Sequence, residues 1–330
     1  MAGPVGVPGG IPVGVRPRGP LLGYALFAVA VGAVWALDVY AVPWTDPYLT
    51  DIVIRIGMAL LAVMGLALVL GFTGQFSLGH AGFMAVGAYS AAMMTLHSGL
   101  HPMIGVLVGG FAAALAGVVV GLPSLRLTGD YLAVVTLGFN GIIIVVIQNT
   151  AVLGGAAGLT GLPVATTFGW TFTWVLLGGL FIRNLLASAH GRVFEAVRDN
   201  EIALRSLGVD TTKAKVTAFV IGAFWAGIAG GLLAHYRASI FPSQFQFERS
   251  IELLAMVVLG GTGSLSGPLL SAAVLTALPE LLRPVAEYRM VIYSLLLIGM
   301  MILRPKGLLG GKELTDLFRR RPAPAKKAAA

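Results

Sequence analysis

Two polar interruptions in otherwise apolar sequence carry the residues best suited to chemistry. The first runs Gly71-Phe72-Thr73-Gly74-Gln75-Phe76-Ser77-Leu78-Gly79-His80, and the second Gly260-Gly261-Thr262-Gly263-Ser264-Leu265-Ser266-Gly267-Pro268. Each sets Thr-Gly after an apolar stretch, a Ser four residues past the Thr, and then another Gly. Burying a hydroxyl, amide or imidazole in apolar surroundings is costly unless it finds a partner. Thr73, Gln75, Ser77, His80, Thr262, Ser264 and Ser266, with Asn140 in the middle of another apolar run, therefore either bond neighbouring helices or meet a polar solute. Gly74 and Gly263 sit where a helix would break. Broken helix ends present free N–H and C=O groups that hold a zwitterionic or hydrogen-bonding solute without a fixed charge. Matching Gly-interrupted segments in two halves of a chain point to a transport site.

Other chemistry is excluded by composition and spacing. The chain has no Cys, which removes disulfides, thiol catalysis and thiolate metal sites. His97 and His101 lie four apart in a loop with no visible third ligand, so no metal site is expected. The stretch Gly307-Leu308-Leu309-Gly310-Gly311-Lys312-Glu313 has the wrong spacing for a phosphate-binding loop and Glu where Ser or Thr must ligate magnesium. The Gly-rich 154–161 stretch lacks the strand-turn-helix context of a dinucleotide site. With no nucleophile–base set either, no enzyme activity and no cofactor of its own are expected.

The elements that position these residues follow from the overall balance. Of 330 residues, 57% are hydrophobic and 11% charged, with a mean hydropathy of +0.89. A soluble domain carries about 25% charged residues, so this surface must meet lipid. The predicted fold is an all-α polytopic membrane helix bundle of about 8–10 transmembrane segments, two of them Gly-interrupted. Residues 1–20 read as a disordered extension, 21–37 as an uncleaved first helix, and 310–330 as a basic disordered tail. Further apolar runs cover about 52–71, 76–96, 103–122, 131–148, 170–187, 216–236, 251–262, 267–282 and 290–303.

Basic residues set the topology. Arg16 and Arg18, Arg126, the 188–215 loop (Arg192, Arg198, Arg205, Lys213, Lys215) and the tail after 303 hold most of the Lys and Arg, which places all four regions in the cytoplasm. The net charge of +8 thus reports orientation, and no nucleic acid is expected. An even number of crossings is then required after 215. Residues 251–282 satisfy this as two spans or as a re-entrant hairpin, and the shortness of both halves favours the hairpin. No Asp or Glu sits at the centre of an apolar run; Asp130, Glu252 and Glu280 fall at run ends, which argues against ion coupling.

The loop Gly191 to Asp210 reads as one amphipathic helix. Val193, Phe194, Val197, Ala203, Leu204 and Leu207 form its apolar side, Arg198, Asp199, Glu201 and Arg205 the other, and Gly208 a left-handed end. That apolar side packs on the bundle, on lipid, or on a partner. A facilitative channel, an ion-coupled carrier and a membrane scaffold all remain compatible with these residues.

Four motifs in order, Gly71 to Tyr89, Gly191 to Gly208, Leu259 to Pro268 and Arg304 to Leu308, resemble the LivM-type permease subunit of branched-chain amino acid ABC importers, over about residues 50–309. The resemblance implies a homologous second permease, two ATP-binding subunits, an extracytoplasmic substrate-binding protein, and a bacterial inner membrane with both termini cytoplasmic. It implies ATPase coupling through Arg192, Glu195, Ala196, Arg198, Glu201 and Gly208, although the loop matches the general Glu-Ala-Ala-x-x-x-Gly importer pattern only loosely. The implied cargo is leucine, isoleucine and valine; related permeases take urea or short amides.

Overall fold

The structure, a computed structural model, describes residues 20–124, 129–283, 288–303 and Gly307. The predicted N-terminal extension, Arg126 and the basic tail lie outside the described residues. Eleven α-helices are described: α1 Pro20–Ala36, α2 Pro47–Leu66, α3 His80–Ser98, α4 Pro102–Ser124, α5 Asp130–Asn149, α6 Phe168–Ala187, α7 Ala189–Ser206, α8 Thr211–Arg237, α9 Phe247–Gly260, α10 Ser266–Leu281 and α11 Arg289–Leu303. The all-α membrane bundle expected from the sequence is what the chain forms, with five helices long and apolar enough to cross a membrane and shorter ones beside them.

Helix starts follow local chemistry. The Asp46 carboxylate caps α2 by accepting from the Tyr48 amide at 3.0 Å, with Pro47 in the first helical position. Asp210 caps α8 through the Lys213 amide at 3.0 Å. From Ile56 onward helix α2 is apolar on every side and correspondingly central, with Leu61, Ala62, Val63 and Leu66 all buried. It continues as a π-helical turn over Ala67–Phe72 before the first interruption.

Helix α8 is the other central element, and small residues let its neighbours approach closely. Gly227 of α8 packs on Gly87 of α3, Gly222 on Gly65 of α2, and Ala223 on Gly117 of α4, where an added Cβ would come within 2.8 Å of the Ala223 methyl. At the far side, Phe111, Leu115 and Val119 of α4 point outward, as a lipid-facing surface requires.

Contacts fix which ends lie together. The Tyr236 hydroxyl near the end of α8 donates to Asp51 at the start of α2, and Tyr48 donates to Glu280 at the end of α10 at 2.8 Å. A short antiparallel ladder of β1 (Leu159–Thr160) and β2 (Ser239–Ile240) lies by that same α8 end. At the opposite end, α7 packs under α8 and α2, with Phe194 buried against Leu68, Phe72 and Ala218. Gly129 before α5 lines a pocket with α7 residues, and Gly307 after α11 lies against Gly261, so both are at the α7 end.

The 251–282 region departs from the favoured hairpin. Helices α9 and α10 meet in a turn at the α7 end, and α10 then runs the full height to Glu280 beside Tyr48 and Arg55. The chain therefore traverses the bundle here rather than dipping in and out.

Helices α3 and α9 both begin part-way through the bundle. The His80 ring donates to the Ala62 carbonyl at 3.1 Å and lies near Gly65, itself packed on Gly222. At 1.5 Å rise per residue, Gly222 is about 16 Å from the start of α8 and about 22 Å from its end. The α3 start is therefore near mid-depth, reached from the α7 end by the non-helical segment 74–79. Helix α9 starts at the same level, because Ser250 accepts from the Ala81 amide at 3.2 Å. Its approach from the opposite end is a short turn, Pro242–Phe245, with Phe245 buried.

This overturns the placement of Glu252 at a run end: it lies one half-turn past Ser250, near mid-depth. The hydropathy run began at 251 because Glu248, Arg249 and Glu252 dilute the first turn of α9, which makes a mid-bundle helix start look like a segment edge.

Candidate functional site

The polar residues singled out in the sequence fall into two clusters. The first gathers at the α7 end around Arg198. Its guanidinium donates from Nη1 to the Gly71 carbonyl at 3.0 Å, while Nε and Nη2 bond Asp199 at 3.1 Å. A Cβ on Gly74 would meet the Arg198 Cγ at 3.2 Å, and one on Gly263 would meet Nη1 at 3.0 Å. Gly74 and Gly263 both hold positive φ, 68° and 93°, which a side chain resists. The two interruptions thus come together, and the Arg198 side chain lies against both. The last carbonyls of a helix lack intrahelical partners and carry partial negative charge; the cation sits where α2 and α9 both end.

Thr73 and Gln75 extend this cluster. Thr73 donates to the Val69 carbonyl at 2.6 Å, and the Gln75 amide donates to Thr73 Oγ1 at 2.7 Å and to the Lys215 carbonyl at 3.3 Å. Gln75 Oε1 is buried with no protein partner among the described residues. A pocket of about 240 Å³ opens beside it, bounded by Thr73, Gln75, Leu132, Arg198, Glu201 and Lys215. Thr262 is exposed on the second turn, and Ser264 is buried with its hydroxyl unpartnered among the described residues.

Helix α7 is not one helix. Asn200 leaves helical geometry at φ −160°, ψ 95°, and its side chain accepts from the Ala203 amide at 3.0 Å, capping a second short segment. Periodicity alone could not reveal this break. Gly208, at φ 78°, closes the segment: its amide donates to Arg205 O at 3.0 Å and that of Val209 to Leu204 O at 3.4 Å, the paired bonds of a left-handed cap.

The apolar side divides at the same break. Phe194 and Val197 are buried against the protein's own bundle, whereas Leu207 and Ile202 are 79% and 82% exposed. Ile202 was absent from the apolar side drawn from the sequence, because the break rotates it away from the earlier turn. Among the remaining loop residues, Arg192 is exposed, and Glu195 and Ala196 are half-buried.

Glu201 ties the second segment to α8. It accepts from Lys215 and Arg205, each at 2.6 Å, and from Thr211 at 3.1 Å. Burial alone would raise its carboxyl, but the Lys215 hydrogen bond and charge, with Thr211 and Arg205, outweigh this and hold it below its ordinary value.

The second cluster lies at mid-depth around the start of α3. Ser77 and His80 are buried, the Leu78 amide donates to Thr136 Oγ1 at 3.0 Å, and Ala81 bonds Ser250. Asn140 is buried beside Gly82, where a Cβ would sit 2.8 Å from its Oδ1, and that oxygen has no partner among the described residues. Sequence reading missed Thr136 and Ser250. Each is a single hydroxyl in an apolar run, and only the meeting of two broken helices gives it a role.

Residues 48–304 match the family model described as branched-chain amino acid transport system / permease component. The high-affinity branched-chain amino acid transport system permease proteins LivM of Salmonella typhimurium and Escherichia coli K12 are each 38% identical over 314 residues, covering 83% of this chain and 73% of the relative. LivH of Escherichia coli K12, a permease protein of the same kind of system, is 32% identical over 147 residues, 44% of this chain and 46% of the relative. No solved structure matches. The chain belongs to the branched-chain amino acid transport system permease component family.

Proposed function

We propose that this chain forms part of the transmembrane pathway of an ATP-driven importer that brings branched-chain amino acids across the bacterial inner membrane. The similarity to LivM over most of both chains and the weaker similarity to LivH support a pathway built from two homologous permeases. Two ATP-binding subunits dock at the α7 end, which the basic loop marks as cytoplasmic, and an extracytoplasmic binding protein supplies the solute at the other end.

The observation that carries the ATPase reading is the exposed pair Ile202 and Leu207 on the short second segment of α7. Two large apolar side chains left open on a basic water-facing end offer a partner an apolar contact, and a helix seated in a groove is a common way to use one. Arg192, Glu195 and Ala196 border this contact. Arg198, Glu201 and Gly208 shape the segment from within. Closure of the ATPases moves α7, and the Gly-rich turns at Gly74 and Gly263 follow.

The test is purification of the tagged chain from its native membrane in mild detergent, with mass spectrometry of what accompanies it. A second permease and two ATP-binding subunits are expected. A chain that emerges alone and transports in ATP-free liposomes contradicts the proposal.

A further inference from the structure

The first turns of α9 place three charged residues where a membrane tolerates few. Ser250 is held at mid-depth by the Ala81 amide, and Glu248, Arg249 and Glu252 surround it in sequence. Arg249 donates to Glu252 at 2.5 Å, and the two side chains keep 29% and 36% of their surface exposed. Glu248 is exposed beside them, as are Phe247 and Ile251 at 38% and 43%.

Lipid is an unsuitable neighbour for this face. An ionised pair in hydrocarbon is costly, and charges inside a membrane face a protein interior or a water-filled path. Reaching the surface by stretching is excluded, because each end of α8 is about 16 Å or more from this level. The helix itself is broken at this height, as the half-helices of solute sites are.

From this geometry we infer that the α9 start is a solute-contact site midway through the membrane, taking a zwitterionic amino acid with an aliphatic side chain. This deepens the importer reading and rests on it. The solute carboxylate takes the Arg249 guanidinium, a match for its planar donors. The solute ammonium takes Glu252 or Glu248. When the ammonium takes Glu252, the Arg249–Glu252 bond is exchanged for two bonds to the solute, so both members of that pair keep a partner, and Phe247 and Ile251 flank the aliphatic group. Such an exchange gives weak, reversible contact, which suits a pathway that must release its cargo.

The experiment uses the assembled importer with its binding protein in liposomes, measuring leucine uptake and ATP hydrolysis together. Wild type must first show ATP-dependent uptake; its absence would refute the importer reading itself. Given that, Arg249→Gln and Glu252→Gln are each expected to lower maximal uptake at least tenfold while ATP hydrolysis stays within twofold. The exchanged pair, Arg249→Glu with Glu252→Arg, is expected to remain as poor. Uptake restored by the exchanged pair would assign the ion pair a structural role and overturn the site. Should the variants not assemble, a second measurement decides. The chain has no native Cys, so Glu248→Cys offers a single thiol. Labelling by a charged, water-soluble thiosulfonate, slowed at least threefold by leucine during turnover, is expected. A thiol that is unreactive, or reacts equally with and without leucine, overturns the inference.

Discussion

The Arg198 guanidinium donates to the Gly71 carbonyl at 3.0 Å, joining the loop helix α7 to the end of α2 across 127 positions of sequence. The same side chain lies against Gly74 and Gly263, so one residue of the loop touches both Gly-rich turns. In the proposed function, movement of α7 is passed to the two turns through this contact.

Replacing Arg198 with Ala is therefore expected to separate hydrolysis from transport. In the reconstituted importer, uptake should fall at least tenfold while ATP hydrolysis persists, and Arg198→Lys should recover only part, because an ammonium lacks the planar fork. Gly263→Val should behave similarly, since its side chain meets both an unfavourable φ of 93° and the guanidinium. An unchanged ratio of solute moved to ATP consumed in Arg198→Ala would refute this route.

Ile202→Glu with Leu207→Glu should sharply reduce ATPase recovery with the purified chain, by tenfold or more. Both residues are exposed, so the chain's own stability should change by no more than about 0.5 kcal/mol. Quantitative pull-down against thermal unfolding in detergent separates the two effects. Loss of the fold together with the ATPases would count against a docking role.

Glu201 makes the α7–α8 junction sensitive to acid. Its carboxyl is held below its ordinary value when folded, so the stabilisation is present above the ordinary carboxylate range and fades as pH falls through the folded value. Wild type should be more heat-stable than Glu201→Gln at pH 7, with the gap closing in acid. A gap that widens in acid would reverse the assignment.

Close helix packing makes an opposed pair of glycine predictions. Gly227→Val drives a branched side chain into Ala113 and the Gly109–Gly110 backbone of α4 and should destabilise by about 1–3 kcal/mol, seen as a lower unfolding temperature in detergent. Gly138→Ala adds a methyl group with nothing within 4 Å and should be neutral or stabilising by up to about 1 kcal/mol.

Much of the bundle was legible because apolar runs map onto membrane helices: the run 216–236 became Thr211–Arg237, and 52–71 became Pro47–Phe72 with its π-helical end. The likeness between the two Gly-rich interruptions was legible too, and their meeting at Arg198 gives it a spatial meaning. Depth was not legible. Glu252 looked like a segment edge, yet the Ser250–Ala81 bond sets it near mid-depth of the bundle, so its position no longer speaks against ion coupling; family membership and the exposed α7 segment favour an importer. Nor did periodicity reveal the break at Asn200, which depends on its side chain accepting from the Ala203 amide.

In the proposed function, this permease moves amino acids only as part of an ATP-driven assembly. The most direct measurement is leucine uptake into liposomes holding the chain with its second permease, ATPases and binding protein, with and without ATP. Accumulation against a gradient that requires ATP and disappears when the ATPases are omitted is expected. Equal leucine flux through the permeases alone, without ATP, would contradict it.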